Sequence, residues 1–513
     1  MVRYRLHPGV SLAVLASAES EAAHHEDLGC SVQGPAGRQL RRAIEPLGRR
    51  ADALGREAAM KQARELVRWL EDTPRYAELC AGKTKRLGRR RLREDVLFPD
   101  PKRFRAKVLH LRRDELGLDV PIRARDWPLV ADLFAQLARG ATERELSALA
   151  HANDTVDALL GDLSEAGWLV RAGKPLKLTA PGLLHVGHNA TLVVTARARV
   201  LIDPYFRPES RFDAAYRPLQ PFDLGPVDAI AITHSHGDHF HLGSLLQFPR
   251  DTRIYLPPVE RENLYATDMA YRLQELGFTR VEPLRWWDAR SIGDVELQAL
   301  PFHGEQPTDS EGVYAGLRNV GSTWLVRGPG ISAAFYADAG RDAWGDMRAV
   351  SRRVRRAGAV DYLFCGIRGF RLRPLFFGST TLKNFLADVP LALLTEPQQL
   401  MADADEALDY GTLLGAKHVV PCADGGAPWF WREGMGPYYP GYPTAGAVHP
   451  PDLHAHENPD ADPFPERLAE ARRRRRDGPE ALVLRPGDLL SSATGEPVPR
   501  RFKGFGWPFE EGR

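Results

Sequence analysis

From His234 to His239 the chain reads His-Ser-His-Gly-Asp-His, which places four side chains of metal-ligating type within six residues. The stretch follows the largely apolar run Val227 to Thr233, which reads as a buried strand. In an extended segment His234 and His236 point to the same side, so two imidazoles can reach one ion. Asp238 and His239 follow on a turn and can reach a second ion beside the first. A clump of histidines on a solvated loop is the bland alternative. A strand that ends in such a group constrains the fold around it, because the neighbouring strands must leave their ends open to the same place.

Other segments have the character such a site needs. His185-Val186-Gly187-His188-Asn189 leads into the apolar run Leu192 to Val194, and Val200 to Pro204 reads Val-Leu-Ile-Asp-Pro. Ala334 to Gly340 is an apolar strand ending in the carboxylate of Asp338, and Gly415 to Pro421 reads as a last strand. In this order the motifs resemble the metallo-β-lactamase superfamily over about residues 180 to 450. The resemblance implies an α/β fold, the αββα metallo-β-lactamase sandwich, in which Asp338 bridges two metals. It also implies a further ligand near the last strand. His418 is the first candidate and Asp424 the fallback, although related chains more often carry a histidine about where Ala423 lies.

One departure from the hydrolases of that superfamily bears on the chemistry. There a third histidine completes a site suited to zinc. Here the corresponding stretch, Leu300 to Pro307, offers both His303 and Glu305. With Glu305 the first metal has two histidines and one carboxylate, the facial set of non-haem iron oxygenases. Asp238 and Asp338 add further hard oxygen donors. The Gly-Glu-Gln-Pro wording at 304–307, the large N-terminal region beginning Tyr4 to Val10, and Pro421 to Trp429 resemble one branch. That branch is the diiron β-hydroxylases of nonribosomal peptide biosynthesis, of the chloramphenicol-pathway type.

The resemblance implies two Fe ions, with O2 as co-substrate. His234, His236 and Glu305 would hold the first; Asp238, His239 and His418 the second; Asp338 both, with Glu305 and Asp338 central to catalysis. It implies hydroxylation of the β-carbon of an amino acid held as a thioester on a peptidyl carrier domain. An external reductase would donate electrons, since no flavin or ferredoxin motif is evident. The competing expectation is a dinuclear zinc hydrolase of the same fold, acting on a thioester or phosphodiester with His303 as ligand.

Composition frames these expectations. The chain has 513 residues, more than one core usually holds, with 43% hydrophobic and 27% charged residues. Its net charge of +2 gives no general pull toward nucleic acid. Four widely spaced cysteines without a C-x-x-C suit a reducing cytoplasm better than a disulfide framework. No run approaches the ~18 apolar residues of a membrane span. Val10 to Ala18 resembles a signal peptide only faintly, because its apolar core is short.

The expected division is an N-terminal α+β domain at 1–178 and a catalytic domain with a C-terminal extension at 179–513. Gly37 to Leu79 is helical by spacing. Trp127 to Val170 resembles a winged helix, with Thr142 as a helix cap. Its His151 to Asp162 segment carries acids and no Lys or Arg, so scaffold or homodimer contact is expected rather than DNA binding. The basic stretch Lys83 to Arg113 reads either as solvated surface or as a dock for an acidic carrier protein.

Overall fold

The computed structural model describes residues 2–15, 91–100, 107–113, 116–178, 180–206, 218–307, 316–367, 401–423, 466–484 and 486–491, with a few isolated positions besides. Asp424, most of 37–79, and 83–90 and 101–106 of the basic stretch lie outside the described residues.

Two seven-stranded sheets form the frame. The first runs, in spatial order, Val281–Pro283, Arg253–Leu256, Ala229–Ala231, Arg199–Ile202, Ala190–Val194, Gly182–Gly187 and Leu489–Ser491. The second runs Ala289–Ile292, Val295–Pro301, Ser322–Gly328, Ile331–Ala337, Tyr362–Cys365, His418–Pro421 and Glu480–Ala481. Successive side chains on a strand point to opposite faces, and here both faces are apolar. Leu183, Val193, Val200 and Ala229 of the first sheet meet Leu297, Trp324, Phe335, Phe364 and Val420 of the second in one core between the sheets. Their sequence neighbours Leu184, Leu192, Leu201 and Ile230 turn outward into a second core. Leu300, Leu325, Ala334, Leu363 and Val419 turn outward from the other sheet into a third. Strands buried on both faces read as continuous apolar runs, as Val227 to Thr233 does.

The third core is covered by the helices Met347–Arg356, Ala404–Leu414 and Glu466–Arg473. The outer face of the first sheet is covered largely by the N-terminal region. The helix Trp127–Arg139 carries Pro128 in its first turn and stops at Gly140, whose φ of 81° suits a left-handed cap. It buries Trp127, Val130, Leu133, Phe134 and Leu137 in the same core as Leu192 and Ile230. The helix Glu143–Ala152 begins in a capping box: Glu145 N–H donates to Thr142 Oγ1 (3.3 Å) and Thr142 N–H to the Glu145 carboxylate (2.7 Å). With Asp154–Glu165 and the strands Ala141–Thr142 and Leu169–Arg171 this follows the order of a winged helix. The strand between those two, however, is Arg3–Leu6 from the start of the chain.

A separate antiparallel sheet, Ser11–Leu15, Lys107–Arg113 and Leu116–Ile122, abuts the short helix Leu242–Leu245 that follows the histidine motif. The approach is so close that a Cβ on Gly243 would lie 1.7 Å from Leu12 O. Lys107 belongs to the basic stretch yet is buried, with its Nζ 2.5 Å from Glu275. Burial lowers its pKa despite that partner, so Lys107 is withdrawn from any electrostatic dock. No helix among the described residues is long and apolar enough to cross a membrane.

Candidate metal centre

The strand Ala229–Ala231 delivers the histidine motif to one end of the sandwich, where the two sheets are tied together. Ser322 N–H donates to Thr233 O (2.8 Å), and His234 bridges to Gly321. His234, fully buried, has Nε2 3.0 Å from His236 Nδ1. Both ring nitrogens face one carboxylate oxygen: Glu305 Oε2 lies 3.1 Å from His234 Nε2 and 2.8 Å from His236 Nδ1.

Glu305 arrives on the turn after the strand Val295–Pro301. Gly304 has φ 116° and Glu305 itself φ 49°. A left-handed non-glycine residue costs of order 1–3 kcal/mol and persists only where its surroundings dictate it. On one side, the Gln306 side-chain amide donates to the carbonyls of Gly304 and Asn319 (3.1 Å each), and its oxygen accepts Asn319 N–H (3.0 Å). On the other, Gly304 N–H donates to the Asp342 carboxylate (2.9 Å). His303, the rival candidate, is turned away from the pair. Its Nδ1 lies 3.3 Å from Asp342 Oδ1 and its ring meets Trp286 edge-on at 5.6 Å. The structure thus brings Glu305, and not His303, against His234 and His236.

A second group forms beside the first. Ligand atoms of His188, Asp238 and His239 lie within 4.8 Å of one another, as do those of His234, His236, Glu305 and Asp338. Asp338 ends the strand Ile331–Ala337 after Ala337 at φ 49°. Its Oδ2 lies 3.2 Å from His239 Nε2 and 3.9 Å from His234 Nε2, so one carboxylate faces both groups. Asp203, fully buried, fixes the other end of His239: its Oδ2 is 2.7 Å from His239 Nδ1 and accepts from Thr233 Oγ1 (2.6 Å) and Asn189 Nδ2 (2.5 Å). That leaves His239 Nε2 facing inward. Six non-glycine residues are left-handed among the described residues, and five of them belong to this end of the fold: His188, Asp203, Glu305, Ala337 and Ala423.

His418 is not in either group. It begins the strand His418–Pro421, pairs in register with Tyr362 and stacks on that ring at 5.5 Å. The site lies at the opposite end of this strand, roughly 10 Å away at ~3.3 Å per residue. The expectation for His418 is therefore corrected. At the site end sits Ala423, buried, its N–H 3.3 Å from His188 O. His188 Nε2 is 3.3 Å from Asp238 Oδ2, and its ring stands 5.0 Å from that of His239. It thus joins Asp238 and His239 in the second group, which sequence reasoning had not assigned to it. The signal available in the sequence was His-Asn inside a tight turn between two apolar strands, where polar residues are ordinarily solvated.

The electrostatics follow from burial. Burial pushes the pKa of His234 down, helped by His239. Burial also opposes charge on His239, but Asp338, Asp238 and Asp203 outweigh it and hold its pKa well above the ordinary value. Against the cost of burial, His236 and His234 hold Glu305 well below the usual carboxylate range. Four carboxylates, Asp203, Asp238, Glu305 and Asp338, therefore converge on these imidazoles, a concentration of negative charge that cations would offset. Asp338 Oδ1 and His239 Nε2 are buried without a hydrogen-bond partner, as atoms reserved for metal ligation would be. Two imidazoles and a carboxylate, with a second carboxylate facing both groups, form a donor set able to hold metal ions.

Residues 198–421 match the family model for the beta-lactamase superfamily domain. Among solved structures the chain is similar to CmlA, a diiron β-hydroxylase from Streptomyces venezuelae. Identity is 17% and the TM-score 0.54, over 94% of this chain and 98% of that one. A CmlA point mutant matches equally, at 17% identity and TM-score 0.54 over 94% and 98% of the two chains. Igni18, a metallo hydrolase from Ignicoccus hospitalis, aligns at 16% identity with a TM-score of 0.34, covering 63% of this chain and 99% of its own. The two facing sheets, their helical covers and the histidine motif at the strand ends thus form a metallo-β-lactamase fold.

Proposed function

We propose that the chain is a non-haem diiron monooxygenase. It would hydroxylate the β-carbon of an aminoacyl group carried as a thioester on a peptidyl carrier domain, in nonribosomal peptide biosynthesis. The observation that carries this reading is the placement of Glu305, rather than His303, against His234 and His236. It sets two histidines and a carboxylate, the facial set of non-haem iron oxygenases, where a third histidine was expected of a hydrolase of this fold. The likeness to CmlA, a diiron β-hydroxylase, supports the same reading.

In this reading His234, His236 and Glu305 would hold one ion and His188, Asp238 and His239 the other, with Asp338 facing both groups. A bound diiron pair would supply dioxygen reduction: one oxygen atom enters the C–H bond as hydroxyl and the other leaves as water, with two electrons and two protons from an external reductase. The protein's own part is orientation and exclusion of water. Asp203 holds the His239 tautomer through Nδ1, and Thr233 Oγ1 lies 2.9 Å from His234 Nδ1. The Phe302 ring packs 5.1 Å from that of His234.

The test is metal analysis joined to turnover. Chain produced without added zinc should hold close to two irons, and, with a reductant and dioxygen, should hydroxylate an aminoacyl carrier protein but turn over the free amino acid very poorly. Raising salt should slow the carrier reaction, because exposed charge contacts are screened over ~8 Å at physiological ionic strength. Two tightly held zinc ions with hydrolysis of a thioester or phosphodiester would replace the oxygenase with the hydrolase of the same fold.

A further inference from the structure

The turn that carries Glu305 is held by a residue outside both donor groups. Asp342 stands in the hairpin formed by Arg341–Asp342 and Gly345–Asp346. Its side chain is 3% exposed. One carboxylate oxygen accepts Gly304 N–H (2.9 Å), and the other accepts the N–H groups of Trp344 and Gly345 (2.8 Å each). His303 Nδ1 completes the set at 3.3 Å. The hairpin also grips the turn through its backbone, since Gly340 N–H donates to His303 O (2.5 Å). The His303 ring is wedged so tightly that a Cβ on Gly345 would lie 2.1 Å from its Cε1. Burial opposes charge on Asp342, yet the hydrogen bonds from His303 and Gly304 outweigh it and keep the pKa below the usual value.

Each contact bears on one torsional choice. Gly304 and Glu305 are both left-handed, and relaxation of either to an ordinary conformation would swing the Glu305 carboxylate away from His234 and His236. Asp342 holds the Gly304 amide, Gln306 holds the Gly304 carbonyl, and His303 is pinned one residue before. The geometry points to Asp342 as a positioning residue: it orients Glu305 toward the first metal by fixing the 303–305 turn, with His303 as its anchor instead of a ligand. The inference rests on the reading of Glu305 as a ligand.

Cobalt(II) titration of the metal-free full chain tests both, because cobalt d–d absorption reports the ligand set as well as occupancy. Asp342→Asn keeps the shape but sets an amide nitrogen against N–H donors. It should weaken one of the two cobalt sites by about 10- to 100-fold, the usual effect of removing a group that orients a ligand, and alter that site's bands. Asp342→Glu keeps the charge but displaces both oxygens, and the same site should weaken, so a soluble form of either variant suffices. Wild-type affinity and spectrum in a folded Asp342 variant, with only a lowered melting temperature, would overturn the positioning role. Glu305→Ala separates the two ideas. Loss of one cobalt there beside an unaffected Asp342 variant sinks the inference alone, whereas two wild-type sites in Glu305→Ala sink the ligand reading and the inference with it.

Discussion

The carboxylate of Asp338 faces His239 Nε2 at 3.2 Å and His234 Nε2 at 3.9 Å, so its loss should be felt by both ions. His188 and His418 offer a sharper contrast, because they are the same residue type in opposite places. His188→Ala should weaken the second ion by more than tenfold and leave the first, as isothermal titration would read. His418→Ala should leave both ions at wild-type affinity, since its ring stacks on Tyr362 far from either group. A weakened second site in His418→Ala with none in His188→Ala would reverse the assignment. What could be read from sequence at this level divides by range. His234, His236, Asp238 and His239 fall within six residues after one strand, so their convergence is a local matter. The expectation for Asp338 came from the resemblance, in which the carboxylate closing this strand faces both metals. His188 was not legible, because its inward aim depends on φ 54° in a hairpin turn whose neighbour, Ala423, lies more than two hundred residues away.

The helix Met269–Glu275 and the strand Lys107–Arg113 meet over a set of buried charges. Arg272 and Glu262 are both essentially unexposed and 2.7 Å apart, with Arg272 Nη1 3.7 Å from Glu275 and Lys107 on the other side of Glu275. Glu262 also accepts Asp268 N–H (3.0 Å), at the start of that helix. Removing one partner of a buried pair leaves the other charge uncompensated at a cost of about 3–5 kcal/mol. Glu262→Ala should therefore lower unfolding free energy by that order in urea melts, while an exposed pair such as Arg261–Glu94 should cost under about 1 kcal/mol when cut. Equal effects from the two would mean the buried set is solvated. Apolar runs announced the central strands, and Thr142 announced the start of its helix. The edge strands Glu480–Ala481 and Leu489–Ser491 left no such trace: two or three residues show no period, and they pair with strands remote in sequence.

Among the described residues one large apolar core is shared between the N-terminal region and the first sheet, across the 178/179 boundary that the sequence suggested. Trp127, Leu133 and Phe134 lie in one cluster with Leu192, Leu201 and Ile230, and Arg250 clasps Asp132 through two hydrogen bonds of 2.8 and 2.9 Å. A linear pattern of motifs locates the start of the sandwich, but it cannot say what lies on top of it. The practical corollary concerns surgery on the chain. Residues 179–513 expressed alone would present to water a sheet face evolved for contact with protein, and such apolar faces drive association. That fragment should appear in inclusion bodies or as large species on size-exclusion chromatography, and co-expression with 1–178 should restore a soluble, metal-binding pair. A soluble, monomeric fragment with both ions bound would make the front third a removable accessory. Otherwise it is half of the shell within which the histidine strand is built, and swapping it between relatives would require carrying the outward face of the first sheet along with it.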